Sequence, residues 1–196
     1  MKKRTAAISR KTRETEIAVS LNLDGTGVYS VSTGIPFLDH MLELFSRHSL
    51  IDLNVKATGD LAVDYHHTVE DLGLVLGTCF DQALGERKGI RRYGWCQLPM
   101  DESLAEVAVD LGGRPFLVWS IANKKKKIRD FDVKLLEEFF RAFVMQAKLN
   151  LHVRHLYGDE VHHAYESVFK GFARALRAAS ETDPRDKGIP SSKGVI

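Results

Sequence analysis

With 196 residues, 44% of them apolar and 28% charged, the chain is long enough for one globular domain or two small halves sharing a core. Its net charge of +2 is too small an excess for a protein whose main partner is nucleic acid, and no run approaches the roughly 20 apolar residues of a membrane span. Cys79 and Cys96 are its only cysteines and form no CxxC pair, which excludes thiolate-bound zinc and fits a reducing, cytoplasmic setting.

The N-terminal stretch MKKRTAAISRKTRETE is basic but lacks the apolar middle of a secretory signal, so export is not expected. TEIAVSLNLDGTGVYSV then alternates apolar and polar residues around a Gly-containing turn and predicts a hairpin. Its LNLDGTG segment is similar to the DxDGT loop of phosphatases that form an aspartyl phosphate, but Asn22 stands where that nucleophile is required. From Phe37 the apolar positions recur at helical spacing, and Pro36 suits the first turn of that helix. Ile51, Leu53 and Val55 mark a strand with one buried face. DYHHTVEDLG opens a second helix carrying His66, His67 and Glu70.

The series then recurs. SLAEVAVDLGGRPFLVW predicts another hairpin, and Lys124 to Lys127 a solvated loop. Leu135 takes the place of Phe37 in a further helix, Leu149, Leu151 and Val153 form a strand, and EVHHAYESVF opens a last helix with His162, His163 and Glu166. ETDPRDKGIPSSKGVI has Pro, Gly and Ser without periodicity and reads as a loop or mobile end. The pattern predicts an α+β domain over residues 1–196 built by internal duplication. Its halves, approximately 14–90 and 101–182, each run hairpin, helix, strand, helix, with a small sheet covered on one face by helices, and 183–196 form a tail.

His-His-x-x-Glu written twice at equivalent places in a repeat points to metal. Adjacent histidines on a helix point about 100° apart, so the natural arrangement is two neighbouring ions, each receiving one histidine of each pair from the same or adjacent chains. Imidazole and carboxylate without thiolate suit Mn, Fe, Co or Zn. His40, among apolar neighbours on the preceding helix, is a further candidate ligand, and its repeat partner Glu138 another. His152 is an alternative, although Asn54 occupies the matching place in the first half. A dinuclear hydrolase and a metal-storage protein both remain compatible with these residues alone.

GIPFLDHML, DYHHTVEDLGLVLGTCFDQALGERKGI, DLGGRPFL, HHAYESVFKGFARALR and DPRDKGIPSSKGVI, in this order, resemble imidazoleglycerol-phosphate dehydratase over essentially the whole chain. The resemblance implies the monofunctional lyase of histidine biosynthesis, which dehydrates D-erythro-imidazoleglycerol phosphate to imidazole-acetol phosphate and water in the cytoplasm. It implies two Mn²⁺ ions per active site, with other divalent transition metals chemically acceptable, holding the substrate imidazole as imidazolate. The implied ligands, which also surround the substrate, are His40, His66, His67, Glu70, His162, His163 and Glu166, with Glu138 where many relatives have histidine. Glu14 is the implied catalytic base and lies beside the substrate chain, which His48 also contacts. Arg92, Arg114, Ser191, Ser192 and Lys193 are implied to hold the phosphate. A large homo-oligomer, the family's 24-subunit shell with sites between subunits, is also implied.

Overall fold

Alternation of apolar and polar residues produces two small sheets, each with one face turned to helices. The computed structural model describes residues 3–196, so Met1 and Lys2 of the basic N-terminus lie outside the described residues. The first half runs β1 (Thr5–Lys11), β2 (Thr15–Asn22), β3 (Tyr29–Ser32), α1 (Pro36–Ser49), β4 (Asp52–Gly59) and α2 (His66–Leu84). The second runs β5 (Tyr93–Met100), β6 (Ser103–Asp110), β7 (Phe116–Ile121), β8 (Lys127–Ile128), β9 (Phe131–Asp132), α3 (Lys134–Ala147), β10 (Asn150–Tyr157) and α4 (Val161–Ser180).

The sheet orders, β1-β2-β4-β3 and β5-β6-β10-β7, are the same once the halves are superposed in sequence. Neighbouring strands are antiparallel except β3 with β4 and β7 with β10, which are parallel. The fold is therefore the expected α+β duplication. Each half does begin with a hairpin, but it is β1–β2 and β5–β6, one strand earlier than the alternation suggested. β2 and β3 share a sheet without pairing, because β4 lies between them. The Gly-containing segment is a wide turn rather than a hairpin tip: it wraps the start of β4, where Asp52 Oδ1 accepts the N–H groups of Thr26 and Val28 at 2.8 and 3.0 Å. A Cβ on Gly25 would stand 2.3 Å from Asp52 Cγ, so the close approach requires glycine. The basic loop also differs in part. Lys127 opens a two-stranded ribbon, β8–β9, that the first half lacks.

Helix α1 begins with proline at its first turn, as expected, and Asp39 Oδ1 locks that end by accepting from Thr33 N and Oγ1. Its apolar stripe, Leu38, Met41, Leu42 and Phe45, is fully buried. The four helices fill the space between the two sheets, and they pair across the repeat: α1 packs on α4 and α2 on α3. Phe45 stacks on Phe172 at 5.5 Å, while Phe139, Phe140, Phe143 and Phe169 complete one aromatic cluster. Burying each such ring contributes about 1.5–3 kcal/mol. Cross-pairing has a functional consequence, because it carries a side chain of each half to the motif of the other. No helix among the described residues is long and apolar enough to cross a membrane.

Candidate metal centre

Both HHxxE motifs start a helix, and both starts are fastened alike. The N–H of His66 donates to Asp64 Oδ1 at 2.7 Å, and that of His162 to Glu160 Oε1 at 3.2 Å. One helical turn on, the glutamate returns to the same face. His66 Nε2 and Glu70 Oε2 are 3.3 Å apart, and so are His162 Nε2 and Glu166 Oε2.

The α1–α4 pairing brings His40 to the second motif. Its ring lies 5.4 Å from that of His162 and its Nε2 4.0 Å from Glu166 Oε2. One donor atom from each of His40, His162 and Glu166 lies within 4.8 Å of the other two. Ligand atoms bound to one ion at about 2.0–2.2 Å lie roughly 3–4.4 Å apart, so these residues fit a divalent metal with small inward shifts. Phe37 meets His162 edge-on at 5.6 Å and braces the ring. Burial works to raise the Glu166 pKa, but Lys170, His162 and His40 together bring it below the ordinary value, keeping a carboxylate ready for a cation. Lys170 is ion-paired to Oε1, which leaves Oε2 on the histidine side.

The α2–α3 pairing brings the repeat partner of His40, Glu138, towards the first motif without closing the same group. Glu138 shares a cleft of about 530 Å³ with His66, lined also by Asp64, Tyr65, Asp130 and Asp132. Its Oε2 stands 3.8 Å from Arg141 Nε, and it does not join His66 and Glu70 in a three-ligand group. The second histidines turn elsewhere: the rings of His66 and His67 are inclined at 81°. His67 Nδ1 meets Asp60 Oδ2 at 3.0 Å and His163 Nδ1 meets Glu102 Oε2 at 2.8 Å. These hydrogen bonds are the main reason both imidazole pKa values lie above the usual one, and the bond from His163 is the main reason that Glu102 is held down to about 2.

A model of the family "Imidazoleglycerol-phosphate dehydratase" matches residues 33–176. The protein of that name from Trichlorobacter lovleyi is 54% identical over 194 residues, covering 99% of this chain and 100% of the relative. That from Citrifermentans bemidjiense is 56% identical over 98% of this chain and 99% of its own length. Among solved structures, imidazoleglycerol-phosphate dehydratase from Staphylococcus aureus matches with a TM-score of 0.83 at 38% identity, covering 91% of this chain and 99% of that one. The chain belongs to the imidazoleglycerol-phosphate dehydratase family. A Pyrococcus furiosus structure of the same enzyme matches with a TM-score of 0.81 at 33% identity, over 96% of this chain and all of that one.

Of the remaining residues that the dehydratase resemblance singled out, Glu14 lies beside the first motif, whereas Arg92 sits at the far end of α4 from His162, its N–H donating to Ala179 O at 2.9 Å. Glu14, just before β2, has its carboxylate 3.9 Å from His67 Nδ1. His48 lies in the last turn of α1, where burial first and then Lys170, Arg174 and Arg47 lower its pKa. Arg92 is committed within the fold: it forks onto Asp110 at 2.7 and 3.2 Å and donates to Pro190 O at 2.8 Å. Arg114 is exposed at the entry to β7, next to Gly113, which Ile196 approaches. Ser191, Ser192 and Lys193 follow Pro190 in the tail, which contains turns but no helix or named strand. His152, the alternative ligand, lies on the outer face of β10, opposite the helices, beside Trp95 and Arg154.

Three groups at this centre had no role in the sequence reading: Lys170, Asp60 and Glu102. Lys170 was detectable as the i+4 partner of Glu166 on α4. Asp60 and Glu102 carry no local signal, since they reach the histidines from the end of β4 and from the β5–β6 turn.

Proposed function

We propose that this chain dehydrates D-erythro-imidazoleglycerol phosphate to imidazole-acetol phosphate and water, as a cytoplasmic lyase of histidine biosynthesis with two Mn²⁺ ions per active site. The observation that carries the metal reading is the His40, His162 and Glu166 group, three N/O donors within range of one ion. The matching His66 and Glu70 spacing supports a second position completed by Glu138. His67 and His163 are the ligands each position takes from the other type of motif, within or between subunits. When bound, the ions supply Lewis-acid stabilisation of the substrate imidazole as imidazolate.

The chain's own groups have separate tasks. The hydroxyl on the carbon attached to imidazole leaves as water with the proton that the ring N–H gives up, and the neighbouring carbon then loses its proton to Glu14, which returns it to the ring nitrogen, giving an enol that becomes the ketone. His40, His66, His67, Glu70, His162, His163 and Glu166 line the imidazole end. Arg92, Arg114, Ser191, Ser192 and Lys193 are assigned the phosphate, with His48 beside the connecting carbons. Burial first, and then the charges of Lys170, Arg174 and Arg47, depress the His48 pKa, and of these cations Lys170 is already ion-paired to Glu166. A large homo-oligomer of the 24-subunit kind agrees with the outward-facing Trp95, which is 77% exposed, and with Tyr93 and Phe116 on the same sheet.

The test is ketone formation from imidazoleglycerol phosphate by chelator-treated protein before and after Mn²⁺ is restored. Metal-dependent product is expected. Two bound ions without product would overturn the dehydratase reading and favour a dinuclear hydrolase.

A further inference from the structure

The second histidine of each motif has a carboxylate on the ring nitrogen nearer its backbone, but the two carboxylates come from different places. Glu102, which holds His163, immediately precedes β6. Its counterpart in the repeat is Glu14, which immediately precedes β2. Glu14 nonetheless stands 3.9 Å from His67 Nδ1, outside hydrogen-bond range, because Asp60 holds that nitrogen at 3.0 Å. Asp60 is itself fixed. Its N–H donates to Glu14 O at 3.1 Å and its carbonyl accepts from Val63 N–H at 2.7 Å, while its Oδ1 is buried without a hydrogen-bond partner among the described residues, leaving Oδ2 as the oxygen on His67.

A neutral imidazole that donates from Nδ1 keeps its lone pair on Nε2. Carboxylates in this position orient metal-ligating histidines and raise their basicity. We propose that Asp60 and Glu102 are positioning residues, which hold His67 and His163 in the form that presents Nε2 to a divalent metal. Asp60, by occupying His67, leaves Glu14 free to face the substrate. The duplicated fold thus uses one acidic position for support in the second half and releases it for chemistry in the first. The inference rests on the metal reading given under Proposed function.

The experiment loads the full chain with Mn²⁺, challenges it with graded EDTA and reads retained metal, with His67→Ala as the benchmark for losing a ligand. Asp60→Ala is expected to bind Mn²⁺ roughly 10–100-fold more weakly at one position, with an unchanged circular dichroism spectrum. Asp60→Asn, whose amide oxygen still accepts from Nδ1, is expected to restore most of that loss. Glu14→Gln alone leaves affinity unchanged, but combined with Asp60→Ala it weakens binding further, because Glu14 can swing to His67 once Asp60 is gone. If Asp60→Ala does not fold, Glu102→Ala is read in the same way. Parent-like retention in these variants, alongside loss in His67→Ala, overturns the positioning role and leaves the metal reading intact. A parent that retains no Mn²⁺, or a His67→Ala variant that retains as much as the parent, overturns both.

Discussion

His162 Nε2 lies 3.3 Å from Glu166 Oε2, and the pair is closed over by His40 from the other half of the repeat. His66 and Glu70 have the same separation, yet Glu70 is exposed while Glu166 is buried. The two positions should therefore differ in affinity, the one with three donors in place being the tighter. Stripping Mn²⁺ with a chelator is expected to give two phases. His162→Ala should remove the slow phase, and His66→Ala the fast one, each leaving about one ion per chain by elemental analysis.

Glu14 has no hydrogen bond from His67, so replacing its carboxylate should leave the metal in place. Glu14→Gln is expected to retain the parent's Mn²⁺ content and lose turnover by roughly 10²–10⁴-fold, the contribution of a positioned general base. The check is kcat for ketone formation at saturating Mn²⁺. Near-parental turnover rejects Glu14 as the base.

Periodicity made most of the elements legible, because a strand or helix with one buried face repeats every 2 or 3.6 residues. Strand partners were not legible: alternation in β2 and β3 does not record that β4, which follows α1 later in the chain, will enter between them. The same limit applies to the centre. Helical spacing alone places His162 and Glu166 on one face, but which motif His40 joins depends on α1 packing on α4, a property of the assembled core. Arg92 shows the converse case. Its side chain was assigned to phosphate, and the fold has it on Asp110 and Pro190 O, positions 18 and 98 residues away, so any phosphate role must coexist with those bonds.

Two glycines on α2 govern how closely it meets α3. A Cβ on Gly73 would lie 2.5 Å from Phe139 O, and one on Gly77 2.5 Å from Phe143 O. Both obstacles are backbone and cannot rotate away. Alanine gains about 1 kcal/mol of helix propensity, while forcing the helices apart costs about 1–3 kcal/mol and should dominate. Gly77→Ala is expected to lower the melting temperature and, because α2 carries His66 and α3 carries Glu138, to weaken Mn²⁺ at that position. Thermal melts and metal content together check this. A variant more stable than the parent would show that the helix pair yields easily.

His155 gives the fold a pH dependence separate from the metal. It is 3% exposed on β10, and neither ring nitrogen has a hydrogen-bond partner among the described residues. Burial lowers its pKa, with the charge of Glu102 and the backbone of Tyr157 acting in the opposite direction. In the unfolded chain the imidazole titrates near its ordinary value of about 6.5. Below that pH the unfolded state binds the proton that the folded state refuses, so stability falls as pH drops through about 6.5 and levels off below the folded pKa. His155→Leu keeps a side chain of similar size and removes the titrating group. The parent is expected to lose more melting temperature than this variant between about pH 7.5 and pH 5, both at saturating Mn²⁺. Equal losses would mean that the buried imidazole accepts its proton without cost, and that the acid sensitivity of the fold comes from its other histidines.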